Sequence, residues 1–288
     1  MGPGLTPSKR LVIGVIGLFL LLSGCSRGLM IDTRHSARSQ DSRVQYIVVH
    51  YTSSNSARAF KTLTTGEVSS HYLIDVNPST IYRLVDESRR AWHVGESSWQ
   101  GRTWLNASSI GIEIVHPGYR DTAEGRLWYP WNEEQIQQLI VLLKDILQRH
   151  QLPPERVIGH SDAAPQRKLD PGPLFPWQRL ADAGVAIWPE AAKVAHYQSE
   201  LNGKIPSVAW FDMALTRFGY NLAGATEQPE IRRNVLAAFQ MRFRPARYDG
   251  QPDAHTAAIL AALVPDSFAA IEHFGGLSRP AANQFTPP

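Results

Sequence analysis

The stretch VQYIVVH, residues 44–50, decides the fold class of this chain. It is a run of β-branched and other apolar residues, which is typical of a strand buried on both faces of a sheet. Further strands are expected at 70–76, 80–85 and 109–115. RVIGHS, residues 156–161, is another short apolar run. The two apolar runs end near His50 and His160, so both histidines are expected at strand ends.

A helix is predicted between Asn132 and His150. Asn132 is a suitable N-cap, and two glutamates follow it where the helix dipole favours negative charge. The apolar residues recur at helical spacing: Ile136, Leu139, Ile140, Leu143, Ile146 and Leu147. Strands interleaved with helices predict an α/β domain over residues 44–190.

The C-terminal part has a different pattern. A polar segment at 191–206 predicts a linker. Beyond it, VAWFDMALTRFGYNL, PEIRRNVLAAFQMRF and YDGQPDAHTAAILAALV have helical periodicity or composition. They predict a small three-helix domain over 207–275, followed by a tail at 276–288.

The N-terminus has the features of a secretory signal. Lys9 and Arg10 precede an apolar run at 11–22, which is too short to span a bilayer as a lone helix. Leu-Ser-Gly-Cys at 22–25 resembles the lipobox of bacterial lipoproteins. This resemblance implies a signal peptide at 1–24, lipidation of Cys25 and a polar tether over 25–43. Ser26, where an aspartate would signal retention, implies delivery to the outer membrane, with the folded α/β domain in the periplasm.

Cysteine usage and charge exclude some classes. Cys25 is the single cysteine among 288 residues, so the chain has no internal disulfide; the alternative for Cys25 is a buried apolar side chain. Two of the 29 basic side chains belong to the predicted signal peptide, which leaves a near balance with the 26 acidic ones. This composition gives no support for a nucleic-acid partner.

His50, His160 and Asp170 are the candidate metal ligands. A side chain at the end of a sheet strand faces the crevice where ligands bind. Either histidine alone is more often a hydrogen-bonded structural residue, but a catalytic zinc site needs three protein ligands and one open position. Two histidines and a carboxylate also form the facial triad of non-haem iron oxygenases, which elemental analysis would distinguish.

Five motifs together are specific: VVHYT, SSHYLID, AWHVG, SIGIEI and GHSDAAPQRKLDPGP. They resemble the N-acetylmuramoyl-L-alanine amidases of the Amidase_2 group, which share their fold with peptidoglycan recognition proteins. The resemblance implies a central mixed β-sheet flanked by helices and one zinc ion held by His50, His160 and Asp170. It further implies that Glu113 is the catalytic glutamate and that Lys168 lies beside the metal.

The implied reaction cuts the amide bond between N-acetylmuramic acid, or its anhydro form, and L-alanine in peptidoglycan and muropeptides. Glu113 would transfer the proton and Lys168 would stabilise the oxyanion. The alternatives are a solvent-facing strand residue for Glu113 and a surface lysine for Lys168; Arg167 is expected on the surface. Tyr51, His71 and His93 are candidate substrate contacts, although the two histidines could equally be structural.

The C-terminal helical domain resembles the peptidoglycan-binding domain found beside many wall hydrolases. Phe239-Gln240 and Asp249-Gly250 occupy its motif positions, while Tyr220, Leu236 and Phe239 are expected in its core. The remaining alternative for the whole chain is a non-catalytic peptidoglycan recognition protein on the same fold.

Overall fold

The structure is a computed structural model that describes residues 29–278. The predicted signal peptide, Cys25 and the last part of the predicted tail lie outside these residues. The chain divides into two units, one up to Asp41 and one from Ser42 onward. In the first unit, the described residues 29–41 contain no helix or strand. Between residues 29 and 278, every helix is too short or too polar to cross a membrane.

Strands dominate the first half of the second unit, and helices dominate its second half. The strands are β1 (Tyr46–Tyr51), β2 (Tyr72–Ile74), β3 (Ile81–Arg83), β4 (Ser98–Trp99), β5 (Arg102–Thr103), β6 (Ser109–Ile114), β7 (Tyr119–Thr122), β8 (Gly125–Trp128), β9 (Val157–Gly159), β10 (Ile205–Pro206) and β11 (Leu277–Ser278). The described α-helices are α1 (Ser56–Thr65), α2 (Glu133–His150), α3 (His160–Ala163), α4 (Trp177–Asp182), α5 (Ala191–Leu201), α6 (Val208–Phe218), α7 (Pro229–Phe243) and α8 (Ala254–Leu263).

The central sheet has five strands in the order β3-β2-β6-β1-β9. β2, β6, β1 and β9 run parallel, and β3 is antiparallel to β2. The prediction of a mixed sheet flanked by helices is confirmed. Since β1 lies between two parallel neighbours, the carboxyl ends of β6, β1 and β9 reach the same edge of the sheet.

One face of the sheet packs against α2. Successive strand residues point to opposite faces, and on β6 the isoleucines at 110, 112 and 114 are fully buried in the cluster that also contains the apolar stripe of α2. Asn132 caps this helix as predicted, because its side-chain oxygen accepts hydrogen bonds from the N–H groups of Glu134 and Gln135. The odd positions of β1, Ile47 and Val49, face the same cluster.

The other face of the sheet packs against the C-terminal helices. Tyr46 and Val48 of β1 belong to one buried cluster together with Phe211 of α6 and Phe239 of α7. The sheet and the C-terminal helices therefore share a continuous hydrophobic core. The boundary predicted at residues 190–207 does not separate two independent cores.

The predicted linker is structured. Residues 191–201 form α5, which packs against α8, and β10 pairs with β11. Only Leu201 of α5 is buried, so the segment reads as polar although it is helical. The tail expected from residue 276 likewise begins with a strand, since β11 covers Leu277–Ser278.

The three predicted C-terminal helices are present as α6, α7 and α8. The expected core residues are buried: Tyr220, Leu236 and Phe239. Gln240 is also fully buried, and its side-chain oxygen accepts a hydrogen bond from the N–H of Gly250 at 2.8 Å while its amide donates to the carbonyl of Gln251 at 2.9 Å. Gln240 thereby connects α7 to the loop before α8.

Candidate metal centre and active site

The sheet brings two candidate residues side by side. His50 on β1 and Glu113 on β6 are direct partners in the parallel register. Each stands one residue before the end of its strand, since β1 continues to Tyr51 and β6 to Ile114. On β1, His50 shares a face with Tyr46 and Val48, the face turned away from α2. The strand period therefore directs both functional side chains to the side opposite α2.

The loop after β9 supplies the other two candidate ligands. His160 is the first residue of α3, directly after β9. The N–H of Ser161 donates to the carbonyl of Asp170 at 2.8 Å, which returns the end of the loop to its start. Gly159 is needed here because a Cβ at this position would lie 2.8 Å from Cδ of Pro171. The backbone of this loop thus places Asp170 beside His160.

Three ligand atoms converge as predicted. Nδ1 of His50 lies 2.9 Å from Nδ1 of His160, and Oδ2 of Asp170 lies 3.0 Å from the His160 nitrogen and 3.3 Å from the His50 nitrogen. Zinc at about 2.0–2.1 Å from each atom of a tetrahedral set would separate the ligands by roughly 3.3 Å. All three residues are buried. The donor set and its spacing therefore fit a zinc ion.

The charges of this group also suit a divalent cation. Burial and the neighbouring His160 lower the pKa of His50 to about 4, so its imidazole is neutral at neutral pH. Burial alone would raise the pKa of the Asp170 carboxyl, but the two imidazoles hold it well below its usual range. Neutral imidazole and carboxylate are the protonation states that coordinate a metal.

Glu113 faces the same cavity and not bulk solvent. Its Oε2 atom is enclosed and has no hydrogen-bond partner among the described residues. Burial, and then the negative charge of Asp170, raise the pKa of Glu113 to about 8, while Lys168 opposes the shift. A cation held by Asp170 would act in the same direction as Lys168. A carboxyl group with an enclosed, unpartnered oxygen beside a metal site is suited to proton transfer.

A cavity of about 630 Å³ opens onto this group. Six of the predicted site residues line it: Tyr51, His93, Glu113, His160, Lys168 and Asp170. His93 lines the cavity, and both of its ring nitrogens are hydrogen-bonded within the protein, to His50 and Ser109.

His71 is not placed to contact substrate, contrary to expectation. His71 is fully buried, its Nδ1 accepts from the N–H of Gly111 at 3.0 Å, and its Nε2 lies 3.1 Å from the carbonyl oxygen of Arg89. Both nitrogens are therefore used by the backbone. His71 connects β2 to β6 and is a structural residue.

No sequence pattern indicated an ion pair that lies beneath the segment carrying His160 and Asp170. Asp162, two residues after His160, accepts hydrogen bonds from Arg242 of α7 and from the Tyr220 hydroxyl, each at 2.6 Å. Its Oδ2 also accepts from the N–H of Gly159 at 2.8 Å. This buried group joins the C-terminal helices to the loop that holds His160.

Arg167 is exposed, as expected for a surface residue, and its guanidinium also has a structural role. It donates to the carbonyl oxygens of Val94 and Glu96. No sequence signal indicates these hydrogen bonds, because the partners are backbone atoms more than 70 positions away.

Comparison with known proteins gives consistent results. Residues 40–173 match the Amidase_2 family, described as N-acetylmuramoyl-L-alanine amidase. The chain is 41% identical over 268 residues to N-acetylmuramoyl-L-alanine amidase AmiD of Escherichia coli K12, covering 87% of this chain and 96% of AmiD.

Two solved structures are similar over most of the chain. One is E. coli AmiD in complex with the substrate anhydro-N-acetylmuramic acid-L-Ala-D-γ-Glu-L-Lys, with a TM-score of 0.77, 43% identity, and coverage of 82% of this chain and 95% of AmiD. The other is AmpDH3 from Pseudomonas aeruginosa in complex with anhydromuramic pentapeptide, with a TM-score of 0.76, 40% identity, and coverage of 82% and 97%.

Proposed function

Because this chain belongs to the N-acetylmuramoyl-L-alanine amidase family, we propose that it hydrolyses the amide bond between N-acetylmuramic acid and L-alanine with the help of one zinc ion. One observation carries this proposal most directly. The ligand atoms of His50, His160 and Asp170 lie within 3.3 Å of one another, beside a cavity that also contains Glu113.

The residues present match what such a hydrolysis needs. When bound, zinc would supply a Lewis acid that lowers the pKa of a coordinated water and polarises the scissile carbonyl. His50, His160 and Asp170 would hold it, and three protein ligands leave one position for water or substrate. Elemental analysis of the purified protein tests the metal, and iron in place of zinc would contradict the assignment.

Glu113 and Lys168 supply proton transfer and positive charge. Glu113 would accept the proton of the attacking water and return it to the nitrogen of the leaving amine, which otherwise departs poorly. Lys168 lines the same cavity. Its ammonium group would donate to the carbonyl oxygen while negative charge develops there.

The experiment is digestion of sacculi and of anhydro-muropeptides by a soluble chain that begins at Ser26. Peptides with a free alanine amine, detected by mass spectrometry, are expected from the wild type and not from Glu113→Gln. Peptides that remain attached to the sugar would contradict the proposal. Binding of the peptides by the wild type without release would favour a non-catalytic recognition protein.

We propose that the substrates include anhydro-muropeptides. AmiD and AmpDH3 have been solved with anhydromuramic peptides, and this chain is at least 40% identical to both. Parallel digestion of muropeptides with reduced and with anhydro sugars tests this, and exclusive cleavage of the reduced form would contradict it.

The C-terminal helices are proposed to hold the enzyme on its polymer. A second weak binding site raises the effective concentration of substrate at the active site without new contacts there. Co-sedimentation of the Glu113→Gln protein with sacculi tests this proposal. Retention that is unchanged when muropeptides saturate the active site would support a separate contact, and complete release would contradict it.

Anchoring to the outer membrane through Cys25 is likewise a proposal, and the Leu-Ser-Gly-Cys motif at 22–25 supports it. Several acyl chains on one residue give stable membrane attachment. Labelled palmitate is expected in the wild type and not in Cys25→Ala, and the wild-type protein should fractionate with the outer membrane. Equal labelling of the two proteins would contradict lipidation at this site.

A further inference from the structure

Both candidate zinc-ligand imidazoles are supported by one short loop. Nε2 of His50 lies 2.9 Å from Nδ1 of His93, and Nε2 of His160 lies 3.2 Å from the carbonyl oxygen of Val94. His93 and Val94 are neighbours in residues 92–96, which we name the support loop. Its two neighbouring residues therefore contact the outer nitrogens of both imidazoles.

The support loop is itself well fixed. The side-chain oxygen of Asn106 accepts hydrogen bonds from the N–H groups of His93 at 3.0 Å and Val94 at 2.9 Å. Arg167 donates to the carbonyl oxygens of Val94 and Glu96. These bonds hold the loop from both sides.

The partner of His160 decides its tautomer. A carbonyl oxygen can only accept, so Nε2 of His160 must carry the hydrogen. Nδ1 of the neutral ring then has the free lone pair, and this is the nitrogen that faces His50 and Asp170.

The tautomer of His50 is decided further away. The hydroxyl of Ser109 donates to the carbonyl of Leu105 at 2.6 Å, so the Ser109 oxygen is free to accept from Nε2 of His93 at 3.1 Å. With its hydrogen on Nε2, the neutral His93 ring accepts at Nδ1 from the Nε2–H of His50. Nδ1 of His50 is then the lone-pair nitrogen, as a zinc ligand requires.

The sequence of β6 makes room for this chain of hydrogen bonds. Ser109, Gly111 and Glu113 alternate with three buried isoleucines and share the face opposite α2. A Cβ on residue 111 would lie 2.4 Å from Cγ of His93, so only glycine allows the ring to occupy this position.

From this geometry we propose that His93 is a positioning residue that acts through His50: together with Ser109 it fixes the tautomer that presents Nδ1 of His50 to zinc. The inference rests on the proposed zinc site and replaces the substrate contact expected for His93. Partners of metal-bound histidines orient the ring and fix its tautomer, and their loss typically lowers metal affinity by about 10- to 100-fold.

The first test is the zinc affinity of the full-length protein, measured by competition with a chromogenic chelator. His93→Phe keeps a ring and removes the acceptor, so the dissociation constant for zinc is expected to rise by roughly 10- to 100-fold. His116→Phe is the matched control, because His116 also bonds through both ring nitrogens, to the carbonyl of Pro130 and the N–H of Gly118. The control should leave zinc affinity unchanged.

A conservative variant distinguishes the effect of the acceptor atom from that of the ring. His93→Asn places an oxygen close to the position of Nδ1 and should restore part of the affinity that His93→Phe loses. Ser109→Ala keeps His93 but removes the acceptor that fixes its tautomer, so a smaller loss of zinc affinity is expected. Unchanged zinc affinity in a folded His93→Phe protein overturns the proposal, and so does an equal loss in the His116→Phe control.

Nitrogen NMR of the zinc-loaded wild type reads the tautomers directly and needs no variant to fold. We expect Nε2–H for His50 and for His93, with Nδ1 of His93 unprotonated; an Nδ1–H tautomer of His93 overturns the proposal. Zinc affinity and tautomer are measured without hydrolysis. If both results are as expected but the protein releases no peptide, only the proposed function is contradicted. If the wild type releases peptide but zinc affinity is unchanged in His93→Phe, only the positioning role of His93 is contradicted.

Discussion

Asp162 on α3 and Asp170 on the loop that follows it are both buried, but their surroundings differ. Asp162 is paired with a positive charge of the protein itself, since the Arg242 guanidinium lies 2.6 Å from its Oδ2 atom. It also accepts hydrogen bonds from the Tyr220 hydroxyl and the N–H of Gly159. Asp170 instead faces the nitrogens of two imidazoles, and no arginine or lysine among residues 29–278 forms an ion pair with it. The first carboxylate is neutralised by the fold, whereas the second is arranged for an external cation.

This difference assigns one carboxylate to structure and the other to chemistry. A buried charge is costly unless it is paired and hydrogen-bonded. Asp162 meets this requirement inside the protein at every protonation state of the active site. Asp170 meets it fully only together with a metal ion, so substitutions at the two positions should differ in what they damage.

The largest effect is expected for Asp170→Asn. The variant loses the only anionic ligand, so zinc binding should fail and peptide release should fall by roughly 10⁴-fold, since a catalytic metal supplies several kcal/mol of transition-state stabilisation. Zinc content and anhydro-muropeptide release measure this. In the presence of a chelator, its free energy of unfolding should change less than that of Arg242→Met. Wild-type zinc content in the variant would contradict the role of Asp170.

Arg242→Met tests the other side of the comparison. The substitution leaves Asp162 buried without its cation, which typically costs about 3–5 kcal/mol of stability. Chemical denaturation should show this loss with and without zinc, because the ion pair does not involve the metal. Adding Asp162→Asn should restore part of the stability. A loss below about 1 kcal/mol would show that the pair is not structural.

Lys168→Met tests whether positive charge in the cavity serves catalysis alone. We expect kcat to fall by about 10²- to 10³-fold, as for removal of one oxyanion donor, while zinc content stays at the wild-type value. Lys193→Met is the control, because Lys193 is an exposed residue of α5 paired with Glu190. A rise in KM with unchanged kcat would assign Lys168 to substrate binding instead.

A third carboxylate extends the comparison to pH. Burial alone would raise the pKa of Glu87, but hydrogen bonds from Arg149, Tyr72 and His150 lower it to about 2. Because this folded-state pKa lies below the ordinary value of 4.5, the stabilisation is complete above about pH 4.5 and is lost as the pH falls toward 2.

Glu87→Gln should therefore be less stable than the wild type by up to about 3 kcal/mol at pH 7, from 1.36 kcal/mol for each unit of pKa. The difference should shrink between pH 4.5 and pH 2, as followed by denaturant titration at pH 7, 4 and 3. A difference that is the same at all three pH values would show that the carboxylate charge is not the cause.

Apolar patterns in the sequence predicted much of the fold. The central strands were found as short apolar runs, and α2 was found because its apolar residues recur at three to four positions; both patterns report burial. The helix α5 was interpreted as a linker because it buries only Leu201 and so has no apolar stripe. The shared core of sheet and C-terminal helices has no local signal, because it depends on how the two surfaces meet.

The residues that line the candidate site were predicted better than the residues that hold them in place. His50, His160 and Glu113 were recognisable because they stand near strand ends within motifs that resemble a known family, and Asp170 because its loop belongs to one of those motifs. The residues behind them were missed or misassigned because their partners are distant in sequence. Arg242 pairs with Asp162 across 80 positions, and Asn106 holds the support loop through backbone groups that any residue could supply.

The pairing of Arg242 with Asp162 bears on attempts to excise a minimal catalyst. A chain cut at residue 190 would lack both Arg242 and Tyr220 and would expose the sheet face that carries Tyr46 and Val48. Such a fragment needs a redesigned surface and a neutral residue in place of Asp162. If the C-terminal helices are exchanged for another targeting module, the new module must therefore also supply a cation for Asp162 in place of Arg242.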